Sequence, residues 1–235
     1  TKVGPVEETI GKNCASLIRD GDTLQLGIGA IPDAVLMFLK HKKDLGIHSE
    51  MFSDGVVELA EAGNITNQKK TLHRGQSVAT FLMGTRRLYD YVDNNPAVAM
   101  YPVQYVNDPY VIAQNDNLVS INSCVQVDLM GQVASESIGY KQISGVGGQV
   151  DFVRAAAFSK GGRSIIAMPS TVKGKTSKIV PVLDEGSAFG WQRTVFVDRQ
   201  TGVNYLWIAS GYAGGLTPLL DAAGHPVVTH VPAEE

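Results

Sequence analysis

Apolar residues recur along the chain at two periods, one helical and one strand-like, and the two alternate. Ile10, Cys14, Leu17 and Ile18 lie at helical spacing and Gly21 follows as a stop, so the first prediction is a helix over 6–18. Thr23 to Leu26 alternates polar and apolar like a strand; Gly27 and Gly29 permit a tight turn, and Pro32 suits a first helical residue. The next helix has Asp33 in its first turn, a stripe of Ala34, Val35, Phe38, Leu39 and Leu45, Lys40, Lys42 and Lys43 near its last turn, and Gly46 at its end. Ile47 to Phe52 then reads as a strand with Ile47, Ser49 and Met51 on one face and His48, Glu50 and Phe52 on the other. Glu50 therefore stands near the C-terminal end of a strand, where open parallel sheets bind ligands.

The same reading continues down the chain. Val56, Val57, Leu59 and Ala60 predict a short helix capped by Ser53 or Asp54 and closed by Gly63, followed by a polar loop over 64–75. Ser77 to Met83 reads as a buried strand, Thr85 to Val92 as a helix, and Tyr101 to Pro109 as an extended, proline-broken connection. Leu118 to Leu129 alternates like a strand and Gly131 turns it into a hairpin. A second glycine turn, Ser144 to Gly148, feeds a helix through Phe158, and Arg163 to Met168 is a further buried strand. Thr194 to Ile208 reads as two strands about a Gln200-Thr201-Gly202 turn, and the remaining residues carry little signal. Strands alternating with helices define an α/β fold with an open, mostly parallel sheet and helices on both faces.

Composition narrows the function classes. With 235 residues and 44% hydrophobic residues the chain can bury a core, as one large α/β domain or two small ones. A net charge of −3 without any basic run argues against a nucleic-acid surface or an anionic-membrane patch. No apolar run reaches transmembrane length and the N-terminus lacks a signal peptide, and only two cysteines, without a CxxC, make a reducing cytoplasm the expected compartment. Cys14 and Cys124 lack metal-like spacing, and His41, His48, His73, His225 and His230 are scattered without an HExxH pattern, so no metal site is expected. The chain begins Thr1-Lys2 without an initiator methionine, as a piece of something longer would.

Several motifs fail on inspection. Pro32 and Val150 occupy the third position where the dinucleotide fingerprint needs glycine, so neither glycine turn binds NAD in that manner. Gly174-Lys175-Thr176 ends like a phosphate-binding loop, but Pro169 stands where its first glycine belongs. Ser170 to Lys173 matches S-x-x-K without a helix to carry the serine. What survives is the pair of glycine turns, each opening a helix with N–H groups able to face an anion, and a carboxylate, Glu50, one βαβ unit from the first.

The strings LGIGAIPDAVL (26–36), HSEMFSDGVVEL (48–59), NNPAVAMYPVQYVNDP (94–109), VSINSCVQVDLMGQVASESIG (119–139), SGVGGQVDFVRAA (144–156) and SIIAMPST (164–171) resemble the acetyl-CoA hydrolase/transferase family, near its 4-hydroxybutyrate and butyryl-CoA:acetate CoA-transferases. The resemblance runs from about residue 6 to Ala188. It implies the second of two similar class I CoA-transferase domains, spanning 1–188, with 189–235 as a divergent tail of that domain. It further implies a catalytic glutamate at Glu50 and CoA-binding segments at Gly27, Ile28, Gly29, Ala30 and Ile31, at Val125, at Gly147 and Gly148, and at Lys173, whose ammonium would meet an anionic part of CoA. The implied reaction moves CoA between an acyl-CoA and a short-chain carboxylate such as acetate, butyrate or 4-hydroxybutyrate through a glutamyl-CoA thioester. No cofactor is bound permanently on this reading; coenzyme A enters as substrate, the partners are acyl-CoA, a carboxylate and an amino-terminal domain, and a homodimer stays open. Acetyl-CoA hydrolysis, a phosphosugar isomerase of similar architecture and a non-catalytic CoA-binding half-protein are the alternatives. Beyond Ala188 the chain keeps Val203, Asn204 and Tyr205 of the family pattern but has no glutamate beside Gly211-Tyr212, where an acidic residue would support the acyl site.

Overall fold

A computed structural model describes residues 3–27, 29–128, 131–139, 141–172, 176–180, 191–197, 204–210, 213–218, 221 and 223–228. Two compact units divide the chain, Thr1–Val180 and Pro181–Glu235, close to the position where the sequence leaves the family pattern.

The first unit carries helices α1 (Pro5–Ser16), α2 (Ala30–Met37), α3 (Asp54–Glu61), α4 (Arg86–Val92), α5 (Val103–Val106), α6 (Pro109–Ile112) and α7 (Gln149–Phe158). Its strands are β1 (Thr23–Leu26), β2 (Gly46–Ile47), β3 (Met51–Ser53), β4 (Ser77–Ala79), β5 (Phe81–Met83), β6 (Val98–Met100), β7 (Leu118–Asn122), β8 (Gln126–Asp128), β9 (Val133–Ala134), β10 (Ser137–Ile138), β11 (Lys141–Gln142), β12 (Arg163–Ile166), β13 (Thr171–Val172), β14 (Thr176–Ser177) and β15 (Ile179–Val180). The central sheet has four strands in the order β12-β7-β1-β2, all parallel. A bridge from His48 to Val78 leads from it to the parallel pair β4-β6, and β3 pairs in parallel with β5.

The middle strands β1 and β7 are buried at every position, as strands covered on both faces must be. One core cluster joins Cys14, Leu24, Val35, Val57 and Ile121 beneath α1, α2 and α3; the other joins Leu118, Ile112 and Phe152 beneath α6 and α7. Helices therefore lie on both faces of a mostly parallel sheet, as expected. Gly11 lets α1 press against α2: a Cβ there would meet the Ala34 carbonyl carbon at 2.6 Å.

Several predicted boundaries move. Helix α2 stops at Met37, so Lys40, Lys42 and Lys43 lie beyond it, and Gly46 starts a strand instead of ending a helix. The Ile47–Phe52 strand breaks into β2 and β3 with Glu50 at a bend between them. Ser77–Met83 is likewise two strands, of which β5 is largely exposed because it lies outside the covered sheet. The connection over 101–109 is not extended: Pro102 and Asp108 precede the short helices α5 and α6, where the Asp108 carboxylate caps Tyr110. Residues 118–129 divide into central strand β7 and β8, which forms the expected hairpin with β9.

The second unit is a three-stranded antiparallel meander of β16 (Trp191–Val197), β17 (Asn204–Ser210) and β18 (Ala213–Pro218). Its first two strands match the predicted pair, whose turn lies outside the described residues; the third was not legible, since AGGLTP has little strand character.

Candidate active site

Glu50 is placed by a break in a strand. The main chain of β2 pairs with β1 as far as the bond from His48 N to Leu24 O, at 3.1 Å. At Ser49 the chain turns away, and the serine hydroxyl replaces the lost ladder by bonding the Leu26 carbonyl at 3.2 Å. The Ser49 amide has changed partner to Val78 O, and the Glu50 carbonyl accepts from Thr80 N and Phe81 N at 3.0 and 3.1 Å. Both sides of the bend are thus pinned while the Glu50 side chain stays half-buried.

Two clefts meet at that side chain. One, of about 380 Å³, is bounded by Gly27, Met51, Phe81, Asn122 and the turn 144–148. The other, of about 500 Å³, is bounded by Val103, Gln104, Asn107, Asp108, Gly147 and Asp151. Gly27 and the pair Gly147-Gly148 share the first cleft with Glu50, so the two glycine turns separated by some 120 positions in sequence come to one place. Gly29 has φ 118° and Gly147 φ 62°, backbone that a side chain resists. Neither α2 nor α7, with N-caps Gly29 and Gly148, has a side-chain cap, so the N–H groups of their first turns are left for another acceptor.

The closest approach is at Gly148. A Cβ built there would overlap Glu50 Oε2 and lie 2.5 Å from Asn107 Nδ2, so the glycine lets the α7 turn close over the carboxylate with both side chains where they stand. Asn107 was not singled out from the sequence. Its Oδ1 is buried without a hydrogen-bond partner, in a segment where the only sequence signal is a polar residue following buried Val106.

The other expected site residues are dispersed. Gly29 lines a separate groove with Asp33 and Met51, Ala30 begins α2, and Ile31 is 7% exposed and packs into the core. Val125 is held by its amide bond to Ala134 O, beyond Ser123 of the first cleft. Ile28 and Lys173 lie outside the described residues.

The floor of the first cleft is a buried amide network. Gln25 Nε2 donates to Asn122 Oδ1 at 3.1 Å, and Ser120 Oγ and Asn122 Nδ2 donate to Gln25 Oε1 at 2.8 and 3.0 Å. Polar groups in the middle of an apolar sheet are costly unless paired in this way. His48, two residues before Glu50, is fully buried and serves the frame: Nε2–H donates to Val106 O at 2.9 Å, which leaves Nδ1 to accept from Asn115 at 3.3 Å. Burial above all lowers its pKa to about 4, so it is neutral at ordinary pH. Among the described residues no group of three or more His, Cys, Asp or Glu side chains could hold a metal ion, and no helix is long and apolar enough to cross a membrane.

A mostly parallel α/β sheet with a carboxylate at a strand break, faced by the uncapped start of α7 and by Gly27 of the turn after β1, is consistent with a class I CoA-transferase-like domain. Residues 84–198 match the acetyl-CoA hydrolase/transferase C-terminal domain, and residues 178–229 match a family of unknown function. The chain is 68% identical over 208 residues to the 4-hydroxybutyrate coenzyme A transferase of Clostridium kluyveri, covering 87% of this chain and 48% of that protein. Among solved structures it is similar to a 4-hydroxybutyrate CoA-transferase from Porphyromonas gingivalis, with TM-score 0.70 and 54% identity over 78% of this chain and 44% of that one. It is also similar to RipA from Yersinia pestis, with TM-score 0.74 and 50% identity over 79% and 42%. The chain belongs to the acetyl-CoA hydrolase/transferase family, and it spans about half the length of the curated relatives it matches.

Proposed function

We propose that the protein of which this chain forms part is an acyl-CoA:carboxylate CoA-transferase, with Glu50 as nucleophile. The observation that carries this reading is the Glu50 carboxylate standing between two clefts against Gly148, at the uncapped start of α7. A Glu50 oxygen attacks the thioester carbonyl; the C–S bond breaks and CoA leaves as thiolate, giving an acyl-glutamyl anhydride. The thiolate attacks the glutamyl carbonyl and expels the acyl group as its carboxylate, leaving a glutamyl-CoA thioester. A second carboxylate then runs the two steps in reverse.

Each step raises negative charge on a carbonyl oxygen. N–H groups at the starts of α2 and α7 suit that charge, and Gly27, Gly29, Ala30, Ile31, Val125, Gly147 and Gly148 frame or back the approach of CoA. Lys173 joins them as a cationic contact for CoA on the family resemblance alone. Half-burial keeps Glu50 open to its substrate, and water, which would hydrolyse either intermediate, has to be excluded by closure of the clefts. The domain assignment is likewise a proposal: 1–188 as the catalytic domain and 189–235 as its divergent tail. The chain's length relative to its relatives supports an amino-terminal half that closes the clefts.

The test is covalent trapping in protein that includes that half. Incubation with acyl-CoA and then borohydride is expected to convert Glu50 alone to an alcohol, read by peptide mass, and Glu50→Gln is expected to abolish both labelling and transfer. Label on another residue, or transfer by Glu50→Gln at the parent rate, overturns the mechanism. CoA release at full rate without any acceptor carboxylate would instead identify a hydrolase.

A further inference from the structure

Glu50 Oε2 and Asn107 Nδ2 crowd the same point beside Gly148, so the space around the carboxylate depends on how three separate elements are set. Glu50 lies at the bend after β2, Asn107 ends α5 and Gly148 begins α7. What holds these elements in register matters if Glu50 is the nucleophile, and this inference rests on that reading.

One buried side chain reaches both neighbouring elements. His48 lies two residues before Glu50, and its Nε2–H donates at 2.9 Å to the carbonyl of Val106, the residue before Asn107. The same ring meets Phe152 of α7 edge-on, with ring centroids 6.4 Å apart at 62°. Phe152 is one turn along from Gly148, and its amide donates to the Gly148 carbonyl at 3.2 Å. The imidazole thus joins the bend to both elements that bound the second cleft, α5 with Asn107 and the α7 turn with Gly147.

The orientation of the ring is fixed from both ends. Val106 O can only accept. On the other side, Asn115 Oδ1 accepts from Leu72 N at 3.4 Å, and Asn115 Nδ2 donates to Ile112 O at 3.4 Å, which turns that nitrogen toward His48 Nδ1 at 3.3 Å. Nδ1 is therefore the acceptor and Nε2 carries the proton. Asn115 is itself fully buried, and its carbonyl accepts from Ser159 Oγ at 2.7 Å. A leucine or phenylalanine would fill this space without the cost of burying a polar ring; what the imidazole adds is direction. We propose that His48 is a positioning residue of the transfer reaction, setting α5 and Asn107 against Glu50 through its bond to Val106 O.

The test compares two amides in protein that includes the amino-terminal half. In His48→Gln the side-chain amide reaches the Nε2 position and keeps the bond to Val106 O; in His48→Asn it reaches only the Nδ1 position and cannot. His48→Asn is expected to lose about 100-fold in kcat, the scale on which misplacement of reacting groups acts, with KM for acyl-CoA nearly unchanged. His48→Gln is expected to recover most of that loss. Both variants give up the ring contact with Phe152, so urea denaturation is expected to find them similarly destabilised; a merely structural role would lower both alike and leave kcat per folded molecule at the parent value. Equal kcat in the two variants, or a loss confined to KM, overturns the proposal. Long-range ¹H–¹⁵N spectra of the histidine-labelled parent are expected to show His48 protonated at Nε2 and bare at Nδ1, and a proton at Nδ1 overturns it however the variants fold. Full transfer by both variants alongside an inactive Glu50→Gln would remove His48 and leave the transfer reading standing, whereas parent-rate transfer by Glu50→Gln would remove that reading itself.

Discussion

Gly148 is the residue on which the Glu50 site turns. Its Cα faces both the carboxylate and the Asn107 amide, and a methyl group there has no space without moving both of them. Backbone strain is not the reason, since Gly148 has φ −92° and ψ 5°, which other residues adopt. The atoms in the way are the ends of two flexible side chains, so Gly148→Ala is expected to leave folding nearly intact while displacing Glu50 and Asn107. Misplacement of a reacting group by about 1 Å costs roughly 100-fold in rate. Glu50→Asp, which withdraws the oxygen by about 1.5 Å, is expected to cost a similar factor. Thermal melts and transfer assays on Gly148→Ala check this: an unchanged rate at unchanged stability would show that the turn does not press on the carboxylate.

At the scale of elements, the loop over 64–76 does work that its polarity concealed. Asn67 Oδ1 accepts from Ile47 N at 2.9 Å, so a loop side chain serves as the edge partner of β2. Lys70 runs beneath Gly46, where a Cβ would meet its Cγ at 2.5 Å, and its ammonium donates to Ile47 O and Gln76 O at 2.8 and 2.7 Å. Burial lowers its pKa from 10.5 to about 7. The folded state then holds fewer protons than the unfolded one between pH 7 and 10.5, so stability rises with pH across that window and is flat just below it. His48 adds a separate window between about 4 and 6.5, again with stability falling as pH falls. Lys70→Met is expected to abolish the rise above pH 7 and keep the one below 6.5, measured by urea denaturation across pH. A parent whose stability is level between pH 7 and 10 would contradict the buried amine. The sequence shows why some of this was legible and some was not. The existence of β1 and β7 and the turn into α7 are read from local pattern and glycine, whereas the burial of both strands on both faces is not, because Thr23, Gln25, Ser120 and Asn122 make them look half-exposed. The break at Ser49-Glu50 is set by Val78, Thr80 and Phe81, far along the chain, and no periodicity within 47–52 contains it. The same holds for Lys70, which looks like a solvated loop lysine until Gly46 and β4 are placed around it.

For the whole molecule, the parallel order β12-β7-β1-β2 brings the turns after β1 and before α7 to one edge beside Glu50, and this long-range assembly could be inferred from the βαβ pattern. The asymmetry of the result could not. The lining of the Glu50 clefts includes Phe81, Val103 and Val146, which are 39%, 45% and 61% exposed. Apolar side chains left open around the proposed nucleophile, which would have to avoid water, fit a chain spanning about half of its relatives' length. The 235-residue chain is therefore expected to bind CoA through the glycine turns but to transfer it poorly, because water reaches the intermediates freely. Calorimetric titration with CoA measures the first expectation. A transfer assay with and without the amino-terminal half measures the second, where addition of that half is expected to raise the rate at least 100-fold, the scale on which positioning of reacting groups acts. Full specific activity from the 235-residue chain alone would mean that Glu50 and its two helix starts are sufficient, and that the open apolar rim serves some other purpose.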